Sequence, residues 1–357
     1  MTGHGRLDLL AIGNALVDIF CFTDEELAPS FALHPNNTVH VSAERLDEIL
    51  PALPQAILVS GGSAANAAKA AASLGLSCAF AGCTGTIERE KDSWALQFER
   101  DLHDYGVTCY LESRNGTTGR CLVIRMPGSL TSTACAPSAA SLFRNDQIPE
   151  ILIMATRIVL LDGQVLKHHD LTDRLIELCA RHKVPLAIDV STTVIAAEYA
   201  GTILEALHRT DCILFANEEE CLVLANRWGR DPEAFIHPPR EGDFPAAYLA
   251  ALTASPGPYP CIVRKRGAIG ADAWRNGRHF SAPAELVTVL DDTAAGDVFA
   301  GAFLSAELSG MDTEPALHFA NKAAASALGV PGSRLDKSEF TELARTLHHR
   351  NQTIQNS

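Results

Sequence analysis

Short apolar runs of strand length recur along the chain and alternate with stretches of helical periodicity. In the stretch Asp170 to Arg181, apolar residues recur at the spacing of one helix face before Pro185 forces an exit. Short apolar strands that alternate with helices are typical of a mostly parallel sheet covered on both faces. The pattern therefore predicts an α/β body. The strand-length runs are Leu7 to Ile12, Arg157 to Leu161, Pro185 to Val190, Cys212 to Phe215 and Cys261 to Val263.

Two segments depart from this alternation, Val17 to Val41 and Val107 to Ala136. Both are richer in Thr, Cys, Val, Gly and Pro, and the second contains a clear extended run, Gly119 to Met126. Together they predict a small β-rich lid inserted into the α/β body, and the polar residues at the end of the chain predict a frayed tail. The predicted division is a body of residues 1–16, 42–106 and 137–347, a discontinuous lid of residues 17–41 and 107–136, and a polar tail of residues 348–357.

Composition narrows the class of protein. The chain has 357 residues, of which 47% are hydrophobic, and this is enough for a sizeable core. With 29 Lys+Arg against 43 Asp+Glu the formal charge is -14, which repels phosphate backbones and anionic lipid, so neither nucleic acid nor a membrane is an expected partner. A small anionic ligand stays possible, because backbone amides at a helix N-terminus can bind an anion locally.

The ten cysteines and the N-terminus bear on location. The cysteines lie in apolar segments without CxxC pairs or zinc-site spacing, which predicts reduced core residues. The first residues lack a basic region followed by a long apolar run, and no stretch reaches the ~18 apolar residues of a membrane span. These features predict a cytoplasmic protein, and they leave open whether it is a monomer or a homodimer.

The strongest local motif is the run Asp291 to Asp297, of sequence DDTAAGD, directly before the apolar helical run Val298 to Leu308. Small residues at a helix start let backbone N–H groups approach an anion, and the helix dipole adds about half a positive charge there. A carboxylate in the first turn could take a proton from an attacking hydroxyl beside that anion. An ordinary acidic helix cap would look the same in isolation.

A second motif, Gly61-Gly62-Ser63-Ala64-Ala65-Asn66, follows an apolar run and leads into an alanine-rich helix. The glycines permit tight turning and close ligand approach, and Asn66 offers a donor and an acceptor to a hydroxylated ligand. A simple strand-to-helix turn is the alternative. The motif is neither a Walker A loop nor GxGxxG.

Two further clusters follow strand-length runs. Asn217 and Glu220 lie three apart at a predicted helix start, where they could jointly meet a hydrated Mg²⁺ or serve only as complements of the helix dipole. Lys265, Gly267 and Gly270 form a glycine-containing turn that could let backbone lie against a nucleotide, or could be an ordinary hairpin.

In this order, the motifs resemble the ribokinase family, also called PfkB-type carbohydrate and nucleoside kinases, from Leu7 to about Leu347. The combination is far more specific than any single motif, and a helix containing Asn321 follows where the family has one. The resemblance implies a Rossmann-like ribokinase fold with a β lid. It also implies transfer of a phosphoryl group from ATP, with Mg²⁺, to the hydroxymethyl group of a small sugar or nucleoside.

The resemblance also implies roles for individual residues. Asp297 resembles the general base, and Ala295 and Gly296, with the Asp297 amide, resemble the anion hole. Glu220 resembles the residue that organises Mg²⁺, indirectly. The implied nucleotide-binding residues are Asn217, Lys265, Gly267, Gly270 and Asn321. The implied substrate-binding residues are Asn14, Asp18, Gly61, Gly62, Asn66 and Asp297.

The DDTAAGD motif departs from the family's commonest form at Asp292 and Ala294. The Ala form is also found in active relatives, whereas an extra carboxylate at Asp292 could weaken nucleotide binding or could point to solvent. In related enzymes the positions of Asp291 and Thr293 help to hold a monovalent cation, which leaves a K⁺ site open here.

The acceptor is suggested by two segments, Gly13 to Asp18 and Thr118 to Leu122, which resemble adenosine-kinase-like members and favour a nucleoside over a free hexose. Asn14 and Asp18 would bond adjacent hydroxyls, a pattern that sugars also satisfy. Two other classes compete. A catalytically silent binding relative is disfavoured by the retained Asp297, and a nicotinamide-dependent oxidoreductase would need GxGxxG after the first strand, which is absent.

Overall fold

The structure, a computed structural model, consists of two β-sheets with helices packed against them. It describes residues 6–22, 31, 33, 37–53, 56–126, 130–144, 148–228, 260–330, 332 and 334–355. The strands are β1 (Leu7–Ile12), β2 (Leu16–Phe22), β3 (Asn37–His40), β4 (Ile57–Gly61), β5 (Cys78–Ile87), β6 (Glu90–Lys91), β7 (Thr108–Asn115), β8 (Gly119–Met126), β9 (Leu130–Ala136), β10 (Thr156–Asp162), β11 (Leu186–Asp189), β12 (Cys212–Asn217), β13 (Cys261–Lys265), β14 (Gly270–Arg275) and β15 (Arg278–Pro283). The α-helices are α1 (Ala43–Ile49), α2 (Ser63–Ser73), α3 (Ser93–Asp104), α4 (Glu150–Met154), α5 (His169–His182), α6 (Thr193–Glu198), α7 (Ala200–Arg209), α8 (Glu218–Arg227), α9 (Ala295–Leu308), α10 (Thr313–Leu328) and α11 (Lys337–Gln355).

The large sheet is mostly parallel. Its order is β15-β14-β13-β12-β11-β10-β1-β5-β6, with β7 also paired to β5. The five strand-length runs predicted from the sequence are the five neighbours β13, β12, β11, β10 and β1, and all four pairings between them are parallel. The predicted fold class is therefore confirmed.

Both faces of the large sheet are buried, as the continuous apolar strands predict. In β1, Leu9 and Ala11 belong to the core cluster formed with the alanine-rich helices α2 and α9. Leu10 points to the opposite face, where it joins the cluster that includes Leu171 and Leu175 of α5. Helices α2 and α9 therefore cover the same face of the sheet, where they pack against each other.

The small sheet has the order β3-β9-β8-β2-β4. One face carries Ile19 and Leu122, which pack against Leu46 and Ile49 of α1. Because side chains alternate along a strand, the opposite face carries Asp18 of β2 and its pairing partner in β8, Cys121. This second face contributes to the site described below.

Three boundaries differ from those predicted for the lid and tail. Residues 108–115 form β7 of the large sheet, where they pair with β5. Their side chains alternate between partly buried and exposed positions, which gives the segment the mixed composition expected of a lid strand. Residues 57–61 form β4 of the small sheet. Helix α11 continues to Gln355 because neither Gly nor Pro interrupts it after Lys337. Residues 23–30, 32, 34–36 and 127–129 of the predicted lid, and 356–357 of the predicted tail, lie outside the described residues.

The cysteines form no disulfide bonds in the structure. All ten cysteines are free thiols, eight of them buried and two partly buried. Within the described ranges, none of the helices combines the length and the apolar character that crossing a bilayer requires.

Candidate active site

Polar side chains gather where the parallel strands of the large sheet end. Asp162 ends β10, Asp189 ends β11 and Lys265 ends β13. The strand register places Asp162 beside Asp189, and Asn217 at the end of β12 beside Lys265. Open α/β sheets bind ligands at the carboxyl ends of their strands, so this edge is the candidate site.

Asp297 lies in the first turn of α9 and faces α2. The Nδ2 atom of Asn66 donates a hydrogen bond of 2.9 Å to Oδ2 of Asp297. The two helices approach closely, because a Cβ on Gly301 of α9 would lie 2.3 Å from the carbonyl oxygen of Ala67 in α2. Glycine at position 301 thus permits the approach that joins two residues 231 positions apart in sequence.

The environment of Asp297 makes it a stronger base than an ordinary Asp. Burial, followed by the negative charge of Asp189, raises its pKa to about 6. The hydrogen bond from Asn66 and the positive charge of Lys265 act in the opposite direction. A carboxylate with a pKa near the working pH is suited to accept a proton and is still ionised when the reaction begins.

The substrate-binding residues predicted from the second motif lie beside this carboxylate. Asp18 is buried, and a Cβ on Gly61 would lie 2.1–2.3 Å from its carboxyl group. Gly62 has φ +92, and a Cβ there would lie 2.4 Å from the Asn14 carbonyl oxygen. Only glycines allow the turn between β4 and α2 to press against β2 in this way.

Asp18 and Asp297 are close enough to affect each other's charge. Burial, mainly, and the charge of Asp297 raise the pKa of Asp18 to about 7, although Lys69 lowers it. The structure therefore brings together all six predicted substrate-binding residues through this chain of contacts: Asn14, Asp18, Gly61, Gly62, Asn66 and Asp297.

The sequence analysis missed Lys69, which lies under the same site. It is buried within α2, and its Nζ donates a hydrogen bond of 2.7 Å to the carbonyl oxygen of Ser60. Asp101 lies 3.9 Å from that Nζ and accepts hydrogen bonds from the Ser60 amide and hydroxyl. Burial lowers the pKa of Lys69, with the charges of Asp101 and Asp18 opposing the effect. A lysine on the buried face of an alanine-rich helix was the available signal.

Lys265 lies below the start of α9. Its Nζ contacts both carboxylate oxygens of Asp189 at 2.9 and 2.8 Å, and a Cβ on Gly296 would lie 3.3 Å from Nζ. Burial favours the neutral amine, but the charge and hydrogen bonds of Asp189 outweigh it, so the pKa of Lys265 is raised. The ammonium group is therefore permanently charged beside the predicted anion hole.

Two of the three backbone amides predicted to form the anion hole already donate hydrogen bonds within the chain. Ala294 caps α9 in a left-handed conformation with φ 64, the Ala295 amide donates to the Asp292 carbonyl, and the Asp297 amide donates to the Ala294 carbonyl. Among the described residues, no acceptor faces the Gly296 amide. Gly296 thus offers the free donor at this helix start, where the dipole also favours an anion.

A cavity of about 460 Å³ opens beside this donor, within the usual range for small-ligand sites. It unites four residues predicted to bind nucleotide or anion, Lys265, Gly267, Gly270 and Gly296, with the exposed apolar side chains of the stretch Leu286 to Val289. That stretch was not singled out from the sequence, although an apolar run without strand alternation was its signal. Ala295 and Asn321, also predicted, line the same cavity.

Asn321 stabilises the wall of this cavity. Its Nδ2 donates hydrogen bonds of 3.0 Å to the carbonyl oxygens of Ala282 and Pro283 at the end of β15. Gly270, at the other side of the strand pair, has φ +114, and a Cβ there would lie 2.1 Å from the Ala282 carbonyl oxygen. Both residues hold the cavity wall in position.

Asn217 and Glu220 form a capping box at the start of α8. The Asn217 side chain accepts from the Glu220 amide at 2.9 Å, while the Glu220 carboxylate accepts from the Asn217 amide and from its Nδ2 at 2.8 and 3.0 Å. Neither residue lines the cavity. No group of three or more metal-ligating side chains is present in the part of the chain that the structure describes.

Asp291 and Thr293, predicted as a K⁺ site, lie together at the loop before α9. Oδ1 of Asp291 accepts from the amide and hydroxyl of Thr293 at 3.0 and 2.7 Å, and Oδ2 accepts from the Gly332 amide at 2.8 Å. The guanidinium of Arg125, from β8, contacts Oδ1 at 3.4 Å and also pairs with the exposed Asp292 at 3.1 Å. Asp292 thus both reaches solvent and lines the cavity.

The chain is similar to known proteins over most of its length. The family description that matches is pfkB family carbohydrate kinase, over residues 38–339. The chain is 25% identical over 338 residues to an adenosine kinase from Schizophyllum commune, covering 88% of this chain and 93% of the relative.

Solved structures share the fold. A probable sugar kinase from Rhizobium etli CFN 42 superposes with a TM-score of 0.81 at 20% identity, covering 97% of this chain and 99% of that chain. An adenosine kinase from Sinorhizobium meliloti gives 0.79 at 22% identity, covering 96% and 100%. Because the family match extends over most of the chain and includes the edge where Asp297 and Lys265 meet, the recognition made from the motifs is confirmed: this protein belongs to the pfkB family of carbohydrate kinases.

Proposed function

We propose that the protein transfers the γ-phosphoryl group of ATP to a hydroxymethyl group of a nucleoside or small sugar. The observation that carries this proposal is the position of Asp297. It lies close to the buried carboxyl group of Asp18 and next to Gly296, which lines the cavity with Lys265, and Asn66 orients it through a hydrogen bond of 2.9 Å.

Each group has a part in the proposed reaction. The acceptor oxygen attacks the γ-phosphorus, its proton passes to an Oδ atom of Asp297, and the bond between the γ-phosphorus and the β–γ bridging oxygen breaks to release ADP. The Gly296 amide and the Lys265 ammonium face the charge that moves onto the phosphates. The side chains of Leu286, Val287 and Val289 would provide the apolar wall that a nucleobase needs.

Mg²⁺ would neutralise charge on the nucleotide phosphates, as phosphoryl transfer generally requires. Glu220 fits only an indirect part in holding it, because both its carboxylate oxygens already accept hydrogen bonds from Asn217. It would act through the solvent around the ion and through its charge near Lys265.

The proposed acceptor is an adenosine-like nucleoside. The similarity to two adenosine kinases supports it, as does the buried Asp18 beside Gly61, which suits a sugar hydroxyl. The two aromatic side chains of β2 differ in their burial. Phe20 is buried against Val59 and Val123, whereas Phe22 is 44% exposed.

The test is a competition of adenosine, ribose and fructose at equal concentration with ATP, followed by product analysis. Phosphorylated adenosine as the main product supports the proposal, and preference for a free sugar moves it to the carbohydrate branch. The matched control is Asp297→Asn, which keeps the shape and removes the base. Binding of an acceptor without turnover by the unmodified chain would instead indicate the catalytically silent relative.

A further inference from the structure

Arg125 is a buried cation that connects the small sheet to the loop before α9. Its side chain is 8% exposed. Its Nη1 contacts Oδ1 of Asp292 at 3.1 Å and Oδ1 of Asp291 at 3.4 Å, and its Nη2 donates to the Leu290 carbonyl oxygen at 3.2 Å. One guanidinium therefore contacts three successive residues of the loop that leads to the anion hole.

The small sheet holds this guanidinium in place. Arg125 pairs with Thr131 across β8 and β9, and its Nη1 also donates to Oγ1 of Thr131 at 2.8 Å. Strand alternation places Arg125 on the same face as Cys121 and Val123, opposite to Arg120 and Leu122. Cys121 pairs with Asp18, so the face that carries Arg125 is also the face that carries the Asp18 carboxylate.

Asp291 needs a positive partner, because it is only 1% exposed and an isolated buried carboxylate is unfavourable. Three donors from Thr293 and Gly332 satisfy its oxygens without neutralising its charge. In the described part of the chain, Arg125 is the cationic side chain paired with it. The loop is also tied at its back, where the amides of Leu290 and Asp291 both donate to the Leu328 carbonyl oxygen.

The family resemblance left open a K⁺ ion at Asp291 and Thr293, and the residues present do not fit one. A K⁺ ion bound to Oδ1 of Asp291 would lie against the guanidinium, and two cations held so close in a buried site repel each other. We propose that Arg125 supplies, as part of the chain, the positive charge that a monovalent cation would otherwise supply, so that neither folding of this loop nor phosphoryl transfer responds to K⁺ or Na⁺.

We expect a specific pattern of rates and melting temperatures when one monovalent cation in the buffer is replaced by another. In the unmodified protein, replacing tetramethylammonium by K⁺ at constant ionic strength should change neither the melting temperature nor the rate. In Arg125→Gln, which removes the charge and keeps much of the side-chain volume, we expect a loss of about tenfold or more in rate in tetramethylammonium, because Asp291 is left unpaired. K⁺ should then raise both the rate and the melting temperature of this variant.

Arg120→Gln is the matched control. Arg120 is also a buried arginine of β8, but it lies on the opposite face and pairs with Asp47 of α1. Its replacement should lower the melting temperature without making it respond to K⁺. A cation response in both variants would show that the effect is not specific to the Asp291 loop and would overturn the proposal.

Three other results would overturn it. These are activation of the unmodified protein by K⁺, normal activity of Arg125→Gln without K⁺, and a folded Arg125→Gln protein whose losses no monovalent cation recovers. The rate measurement rests on the proposed function, whereas the melting measurement does not. If none of the acceptors is phosphorylated, the melting temperatures of the three proteins in K⁺ and tetramethylammonium still decide the question.

Discussion

Replacing Asp297 by Asn should stabilise the folded protein at neutral pH while removing most of its turnover. The substitution keeps the shape of the side chain, and the new amide oxygen can still accept the hydrogen bond from Asn66. What it removes is a buried negative charge near a second one, Asp189, and the group that would accept the hydroxyl proton. Loss of a general base typically lowers the rate ~10²–10⁴-fold.

The gain in stability follows from the pKa of Asp297, which is raised from 3.8 to about 6. Each pKa unit corresponds to about 1.4 kcal/mol, so the ionised carboxylate costs the folded state up to about 3 kcal/mol. We expect Asp297→Asn to recover about 1–3 kcal/mol of the free energy of unfolding, since some solvent reaches the site and relaxation lowers the full cost.

The gain should depend on pH in a defined direction. Because the pKa of Asp297 is higher in the folded state, protonation of this carboxyl group stabilises the folded protein. The stabilisation is fully present below pH 3.8, the ordinary pKa of Asp, and is lost as the pH rises through about 6. The difference between the two proteins should therefore be small below that interval and reach its full value above it.

Urea unfolding of both proteins below and above that interval measures the effect. The control is Asp170→Asn, because Asp170 is also in the first turn of a helix, α5, but is exposed. That variant should lose about 0.3–1 kcal/mol through the helix dipole. An Asp297→Asn protein that is no more stable than the original at neutral pH, or equally more stable at both pH values, would refute the reasoning.

Three further substitutions test other contacts. Asn66→Ala removes a hydrogen bond that lowers the pKa of Asp297, so the acid limb of the kcat/KM profile should move above pH 6; an unmoved limb would count against this base. Gly61→Ala should raise the acceptor KM sharply, because its Cβ would lie 2.1 Å from the buried carboxyl group of Asp18. Gly201→Ala, which has open space around its Cβ, should not raise the KM, and equal effects of the two substitutions would contradict this reasoning. Glu220→Ala should lower the free energy of unfolding by about 1–2 kcal/mol by breaking the α8 capping box, and unchanged urea unfolding would show that the box contributes little.

Much of the fold could be read from the sequence, because the five central strands are buried on both faces and appear as short continuous apolar runs. The lid boundaries could not be read in the same way. β7 alternates partly buried and exposed residues, a pattern that an outer strand of either sheet would show. Only the pairing of β7 with β5 assigns it to the large sheet. Likewise, β4 has the apolar character of a body strand but pairs with β2.

For the candidate site, too, the sequence predicted one part and only the structure showed the other. The types and order of its residues were determined by the sequence alone, since small residues before a helix, a first-turn Asp and paired glycines are local patterns with local physical causes. Local patterns also explain Asn217 and Glu220, whose spacing of three fits a capping box as well as a metal site. The structure shows the capping box, in which the backbone amide and Nδ2 of Asn217 donate to the two oxygens of the Glu220 carboxylate.

The sequence by itself determined the family, the α/β architecture and the set of polar residues at the strand ends. Only the tertiary structure decided how charges from distant segments combine. Arg125 lies 166 positions before Asp291, and no local pattern indicates that its guanidinium reaches that carboxylate. The physical reason is that burial makes a charge depend on whichever opposite charge the fold brings within a few ångströms, and that distance is a property of the packing of two sheets.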